Sequence, residues 1–393
     1  MAEIQGLYGA FTFPEKLLQK IWLRGDFNAS AALTVDGRRL RVVHPGKWNL
    51  LGGPDFLGAR LRFDDGPEVR GDVEVHLHAA DWNAHGHARD SAYDRVELHV
   101  VLFPSEPTQV TVGAGGRSIP VFVLLPLLHH ALEEFAAEEV VEHLANRALT
   151  RVPDELGVLP AEELANLLQG HAEKRWEQKV HFARLRIQRL GWEAACHHAA
   201  LEVLGYRFNR APMLRVASGY PLASWTEAAF DLAAVLAAEA GRWSLQGVRP
   251  ANHPRIRLRQ YAAWVRATPD WPARLTQWGA NWPVLDGRGD TRDVRRIHTF
   301  SSRRTEAAEA IGVGALSGSR FDNLLGDGLL PLLAVRSGRP FFGGWFHWYP
   351  GDLPPVLART LRQLGVFDGR RRAACLGPAQ GLLGWLIQRE ATT

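Results

Sequence analysis

Two stretches of this sequence place acidic and imidazole side chains at spacings that chemistry can use. Asp55 sits in Gly53-Pro54-Asp55-Phe56, and eighteen residues separate it from Glu74 in the run Asp72-Val73-Glu74-Val75-His76-Leu77-His78. That run alternates, so Val73, Val75 and Leu77 fall on one side of a strand and Glu74, His76 and His78 on the other. With Asp55 at the mouth of the preceding strand, two carboxylates approach each other on one side of a small sheet. Such a pair suits Mg²⁺ or Mn²⁺, which prefer oxygen ligands and keep several waters, more than Zn²⁺. A cation held there polarises a phosphodiester and lowers the pKa of a bound water.

The second stretch is polar: Asp81, Trp82, His85, His87, Asp90, Tyr93, Asp94 and His99. DWNAHGHARDSAYDRV is about one helix long, interrupted by Gly86. On a helix, Asp81 and His85 share a face, as do His87 and Asp90. These side chains either line the cleft beside the cation and contact phosphate, or form a second, histidine-rich metal site for Zn²⁺ or Mn²⁺. The plain alternative is a solvated helix that happens to carry histidines, beside a surface Asp55 and a strand Glu74 paired with a cation. The spacing is not H-E-x-x-H, so a metalloprotease is unsupported.

These residues need a scaffold. EKLLQKIWLRG, opened by Pro14 and closed by Gly25, carries Leu17, Leu18, Ile21 and Trp22 on one helical face. LTVDGRRLRVVHPG holds an Asp36-Gly37 hairpin turn, and Asp64-Asp65-Gly66 marks another. ELHVVLF fits a buried strand, and RSIPVFVLL adds one more. The predicted order is helix, three strands, helix, strand, over residues 1–125. Residues 126–393 read as an all-helical domain, in HHALEEFAAEEVVEHLANRAL, AEELANLLQGHAEKRWEQKVHFARLRIQRL and WTEAAFDLAAVLAAEAG.

Pro54-Asp55 before one strand and Glu74-Val75-His76 on the next, in that element order, resemble the PD-(D/E)XK nuclease superfamily. The resemblance implies an α+β, restriction-endonuclease-like α-β-β-β-α-β core. It implies that Asp55 and Glu74 bind the metal, with the Val75 carbonyl as a further ligand, and that Glu15 on the first helix joins them. His76 stands where the family has a lysine that assists the attacking water. A lysine carries a fixed charge at neutral pH, whereas an ordinary histidine, with a pKa of about 6.5, is charged only part of the time. The longer pattern G-P-D-F, G-D-V-E-V-H, D-W, H-x-H, D-x-x-Y-D and L-H-V-V resembles an uncharacterised bacterial family of unknown function. That likeness continues around WEQK and RPANHPRIRLRQ.

Composition narrows the classes. The chain has 393 residues, 46% apolar and 22% charged, which excludes disordered, collagen-like and coiled-coil proteins. Its two cysteines, Cys196 and Cys375, support neither a disulfide scaffold nor a cysteine zinc site. No signal-peptide pattern and no membrane-length apolar run is read, so a soluble, cytoplasmic protein without membrane association is expected. Charge is uneven: residues 1–150 hold 14 basic and 20 acidic residues, and the remainder 32 basic and 22 acidic. A back half at +10 suits a polyanion, with Arg184, Arg186, Arg255, Arg257 and Arg259, Arg303 and Arg304, and Arg370 to Arg372 as candidate contacts. The aromatic run with Trp345, Trp348 and Tyr349 either stacks on bases or belongs to a core. The paired histidines His129, His130, His197 and His198 read as core or surface residues.

The expectation is thus a metal-dependent phosphodiester hydrolase acting on DNA or RNA. Two other classes stay open: a nuclease-fold nucleic-acid-binding or assembly protein without chemistry, and a metal enzyme acting on a small phosphorylated substrate. Protein partners are not indicated.

Overall fold

The computed structural model describes residues 2–391 except 7–8, 104–109, 133, 137–148, 150, 247, 249, 313, 315, 317 and 370–371. The chain forms two compact units, Met1–Ala136 and Ala137–Thr393. It is a mixed α+β protein: the described strands all precede residue 124, and the described part of the second unit is helical.

The first unit opens with a hairpin of β1 (Ala2–Gly6) and β2 (Gly9–Phe13). Helix α1 (Glu15–Arg24) starts after Pro14 and stops at Gly25, whose φ of 60° lies in the left-handed region that favours glycine. It buries Leu17, Leu18, Ile21 and Trp22, the face read from their spacing. Then come β3 (Leu40–His44), β4 (Lys47–Trp48), β5 (Phe56–Phe63) and β6 (Glu68–His76). A short helix, α2 (Asp81–Ala84), and two 3-10 turns lead to β7 (Val96–Val101). The small hairpin of β8 (Thr111–Val112) and β9 (Ser118–Ile119) precedes β10 (Val121–Val123).

The main sheet has the order β10-β7-β6-β5-β3, with β4 also on β5. The β3–β5 and β5–β6 pairs are antiparallel, whereas β6–β7 and β7–β10 are parallel. Parallel pairing demands a crossover, and the segment carrying α2 supplies it. The turn at Asp36-Gly37 forms as expected, but the residues before it make only single bridges, Leu33 to Arg39 and Thr34 to Phe122. Val73, Val75 and Leu77 join Leu98, Val100 and the α1 side chains in one core cluster, while Trp82, Tyr93, Val96 and Ile119 form another.

The second unit is built on the helices Ala161–Leu190 and Trp192–Gly219. Its core takes in Trp225, Tyr261, Trp264, Trp271, Trp282, Trp345 and Trp348. The helix expected across WTEAAFDLAAVLAAEAG is confined to Leu232–Ala238, with Asp231 capping it, and a 3-10 turn at Leu222–Thr226 precedes it. Most of HHALEEFAAEEVVEHLANRAL lies outside the described residues.

Candidate functional site

Asp55 and Glu74 meet where β5 begins beside β6. Phe56 pairs with Val73, so the residue before β5 lies level with Glu74 and Val75. The loop that delivers Asp55 turns at Gly53, with φ 95°, and is shaped by the Asn49 side-chain amide, which donates to the Gly52 and Pro54 carbonyls. The two carboxylates stitch the strands reciprocally. The Asp55 N–H donates to Glu74 Oε2 at 3.0 Å, and the Val75 N–H donates to Asp55 Oδ2 at 3.1 Å. Asp55 Oδ1 accepts from Gln19 Nε2 at 2.7 Å, and Gln19 Oε1 accepts from the Trp48 indole at 3.2 Å. Trp48 therefore fixes which end of the Gln19 amide faces Asp55. Gln19 lies one helical turn beyond Glu15 on α1.

Burial raises both carboxyls above the usual carboxylate range. Asp55 is pushed further by Glu74 and Glu15, and Glu74 by Glu15. Their N–H donors oppose that rise without cancelling it. Glu15 thus acts electrostatically on both buried carboxyls, and Glu74 on Asp55.

Glu74 Oε1 faces the imidazoles. His76 lies on the same side of β6, buried to 1% exposure. Its Nε2 is 3.3 Å from Glu74 Oε1, 3.2 Å from His85 Nδ1 and 3.3 Å from His87 Nε2. His87 Nε2 is itself 3.4 Å from Glu74 Oε1. On its other side, His76 Nδ1 meets His99 Nε2 at 2.9 Å, and His99 Nδ1 meets Thr111 Oγ1 at 2.7 Å. His99 comes from β7, where it pairs with Glu74 in the parallel ladder.

The segment between the strands departs from the expected single helix. Gly86 adopts φ 76°, ending the helical turn between the two histidines. On a continuous helix, residues two apart point in nearly opposite directions. The left-handed glycine instead brings His85 and His87 to one place. Asp90 acts on His87, and Asp81 on His76, through charge alone, and their hydrogen bonds go elsewhere. Asp81 Oδ2 accepts from the His78 N–H at 2.9 Å, and Asp90 Oδ1 accepts from the Ala92 N–H at 2.9 Å, so both shape turns. His78 is exposed, outside the cluster.

Aromatic walls hold the rings. Tyr93 stacks on His87 with centroids 3.8 Å apart, and buried Trp82 packs edge-on against both. The Trp82 indole donates to the Val112 carbonyl at 3.0 Å. Burial pushes the Tyr93 phenol up to about 12, helped by Glu74 and Asp55. Burial lowers His76 to about 4, His87 to about 4 and His99 to about 3, so all three are neutral at physiological pH. His76 consequently offers no fixed positive charge. It offers a lone pair.

The structure gathers Glu15, Asp55, Glu74, His76, His85, His87 and Tyr93 into one electrostatic neighbourhood. Sequence reasoning missed Gln19 and Thr111. Gln19 had a signal, its i, i+4 spacing from Glu15.

The proposed phosphate contacts fare unevenly. Arg184, Arg255 and Arg259 are exposed, but Arg186 pairs with Glu202 at 2.8 Å. Arg257 is buried and donates to Asn252 Oδ1 and Gln260 Oε1. Arg303 donates to the His298 and Asn281 carbonyls, and Arg304 binds Asp322. Arg370 and Arg371 lie outside the described residues. Trp345 and Trp348 are core residues with no face for a base, and Tyr349 is flanked by Arg295 and Arg304.

Fold and site together define an α+β protein whose mixed sheet carries a carboxylate–imidazole cluster at a strand junction. The chain belongs to the family described as protein of unknown function (DUF2851), whose model matches residues 15–241. None of the curated proteins and none of the solved structures matches it. Among the described residues, no helix is long and apolar enough to cross a membrane.

Proposed function

We propose that the protein is a metal-dependent phosphodiester hydrolase acting on nucleic acid, with a restriction-endonuclease-like core in its first unit. The observation that carries this reading is the junction of Asp55 and Glu74. Two carboxyls on adjoining strands, with Glu15 acting on both, lie largely buried at one strand junction, where burial and the neighbouring acids raise them. Oxygen donors of that kind fit Mg²⁺ or Mn²⁺. The sequence of directions supports it: α1, then the antiparallel trio β3, β5 and β6, then a crossover to parallel β7. When bound, the cation supplies charge neutralisation at a phosphate and a lower pKa for a coordinated water.

The chain's own residues do the rest. Gln19 and the Val75 N–H hold the Asp55 carboxylate in one orientation. The Asp55 N–H holds Glu74. His76, neutral, is an acceptor for a proton or a donor to a metal. Exposed arginines of the second unit, Arg184, Arg255 and Arg259, suit phosphates of a polyanionic substrate.

The test compares the parent with Asp55→Ala and Glu74→Ala on DNA and on RNA. Mn²⁺-dependent cleavage is expected in the parent and in neither variant. Equal cleavage by all three sinks the assignment. The neutral His76 favours one second reading, a binding or assembly protein on the same fold without catalysis. Salt-dependent nucleic-acid affinity with no cleavage by the parent under any divalent cation would select it.

A further inference from the structure

We propose that His76 Nε2, His85 Nδ1 and His87 Nε2 form a three-histidine centre for a zinc-class ion, with Glu74 Oε1 beside it. This centre stands apart from the substrate reading above, since it requires only the cluster itself.

Hydrogen bonding does not account for the convergence. An imidazole nitrogen offers one proton or one in-plane lone pair, so His76 Nε2 can bond one neighbour. Three polar atoms surround it at 3.2 to 3.3 Å. In a purely hydrogen-bonded arrangement, the nitrogen serves one of those contacts well and leaves the other two without a hydrogen bond of their own. An ion held by the three imidazoles turns the two histidine contacts into ligand-to-ligand edges. Zinc bonds of about 2.0–2.1 Å in tetrahedral geometry give edges of roughly 3.3 Å. Two of the histidine edges, His76 to His85 and His76 to His87, measure 3.2 and 3.3 Å. The three imidazole nitrogens all lie within 4.8 Å of one another.

The surroundings follow the pattern of an outer shell. With Nε2 given to the ion, His76 carries its proton on Nδ1 and donates to His99 Nε2. His99 then carries its proton on Nδ1 and donates to Thr111 Oγ1. One direction runs through the chain, and each link fixes the tautomer of the ring before it. Such a partner orients a ligating histidine and raises its basicity. His76 and His87 are buried while His85 is exposed, so the ion is reached from the His85 side. Nitrogen-rich donors select zinc, or cobalt as its spectroscopic substitute, over magnesium. Glu74 lies between the two groups, with Oε1 near His76 and His87 and Oε2 accepting from the Asp55 N–H, so this centre adjoins the carboxylate pair.

The experiment strips the full chain with a chelator, then titrates zinc(II) and cobalt(II). One zinc per chain is expected by elemental analysis, along with the intense visible bands of four-coordinate cobalt(II). His85→Ala, chosen because that side chain is exposed, should weaken zinc binding at least about 10-fold and bleach the bands. Thr111→Val should cost roughly 10-fold in affinity without changing the band positions. Asp55→Ala should keep zinc and the cobalt bands while losing phosphodiester cleavage, which separates failure of this centre from failure of the hydrolase reading. The proposal falls if the folded parent, checked by circular dichroism, takes up no zinc. It falls equally if His85→Ala and His87→Gln bind zinc as tightly as the parent.

Discussion

Buried histidines occur in both units, and they are treated in opposite ways. In the helical unit, both ring nitrogens of His197 and of His347 have partners of their own. His197 Nδ1 meets the Tyr261 hydroxyl at 2.6 Å and its Nε2 meets the Tyr220 carbonyl at 3.0 Å. His347 Nδ1 meets Thr291 Oγ1 at 3.0 Å and its Nε2 meets the Arg288 carbonyl at 3.2 Å. In the first unit, three polar atoms crowd a single nitrogen of His76. Burial alone therefore says little about function. A histidine whose nitrogens are served one by one is a structural polar residue, whereas the crowding at His76 Nε2 is what motivates the proposed zinc-class centre.

The sharpest way to break this contrast is Glu74→Gln. It should lower metal-dependent cleavage by at least about 10³-fold, because a carboxylate ligand is lost. Its effect on stability should run the other way. The Glu74 carboxyl titrates above its unfolded value, so ionising it costs folding energy, and that cost grows as pH rises. A neutral amide removes the cost. Thermal unfolding of the metal-free variant at pH 8 should come at or above the parent temperature, and a lower one would contradict the repulsion described here.

Acid should act next most strongly, on the helical unit. His197 is held down at about 4, His198 at about 3 and His347 at about 4, in each case first by burial. Unfolded, each would titrate near 6.5. Their contribution is complete above about 6.5 and is lost as pH falls toward 4, by roughly 1.4 kcal/mol per pH unit for each histidine. Far-ultraviolet circular dichroism with urea at pH 7, 5.5 and 4.5 measures this slope. A flat profile would refute it.

Tyr261→Phe should cost about 1–2 kcal/mol, by leaving His197 Nδ1 without its partner. Cleavage by that variant should match the parent, which ties the residue to folding alone. The smallest effect is expected from the Arg255→Ala, Arg259→Ala double variant. Nucleic-acid affinity should fall several-fold, with the salt slope reduced by roughly one per arginine. Arg257→Ala, by contrast, should reduce stability.

Much of the first unit was legible because strand and helix periods are simple. Alternation in DVEVHLHA put Glu74 and His76 on one side, and Pro14 and Gly25 bracketed α1. The histidine cluster was only half legible. Helical spacing joined Asp81 to His85, but Gly86 ends the turn and Asp81 serves the His78 N–H instead. The meeting of His99 with Glu74 depends on the β6–β7 register, which is shifted between Asp72 and Val73. No local pattern encodes such a shift. The arginines carried a readable warning: residues 255 and 259 lie a helical turn apart, and 257 points to the other face, which is buried.

The three-residue step His85-Gly86-His87 has a consequence for protein engineering. Nothing lies within 4 Å of where a side chain at Gly86 would begin, so its requirement is purely torsional. An alanine there would meet strain of about 1 kcal/mol from its backbone angle and no collision. The step therefore resists substitution through its backbone angle alone, and a Gly86→Ala change would test the torsion without adding a collision.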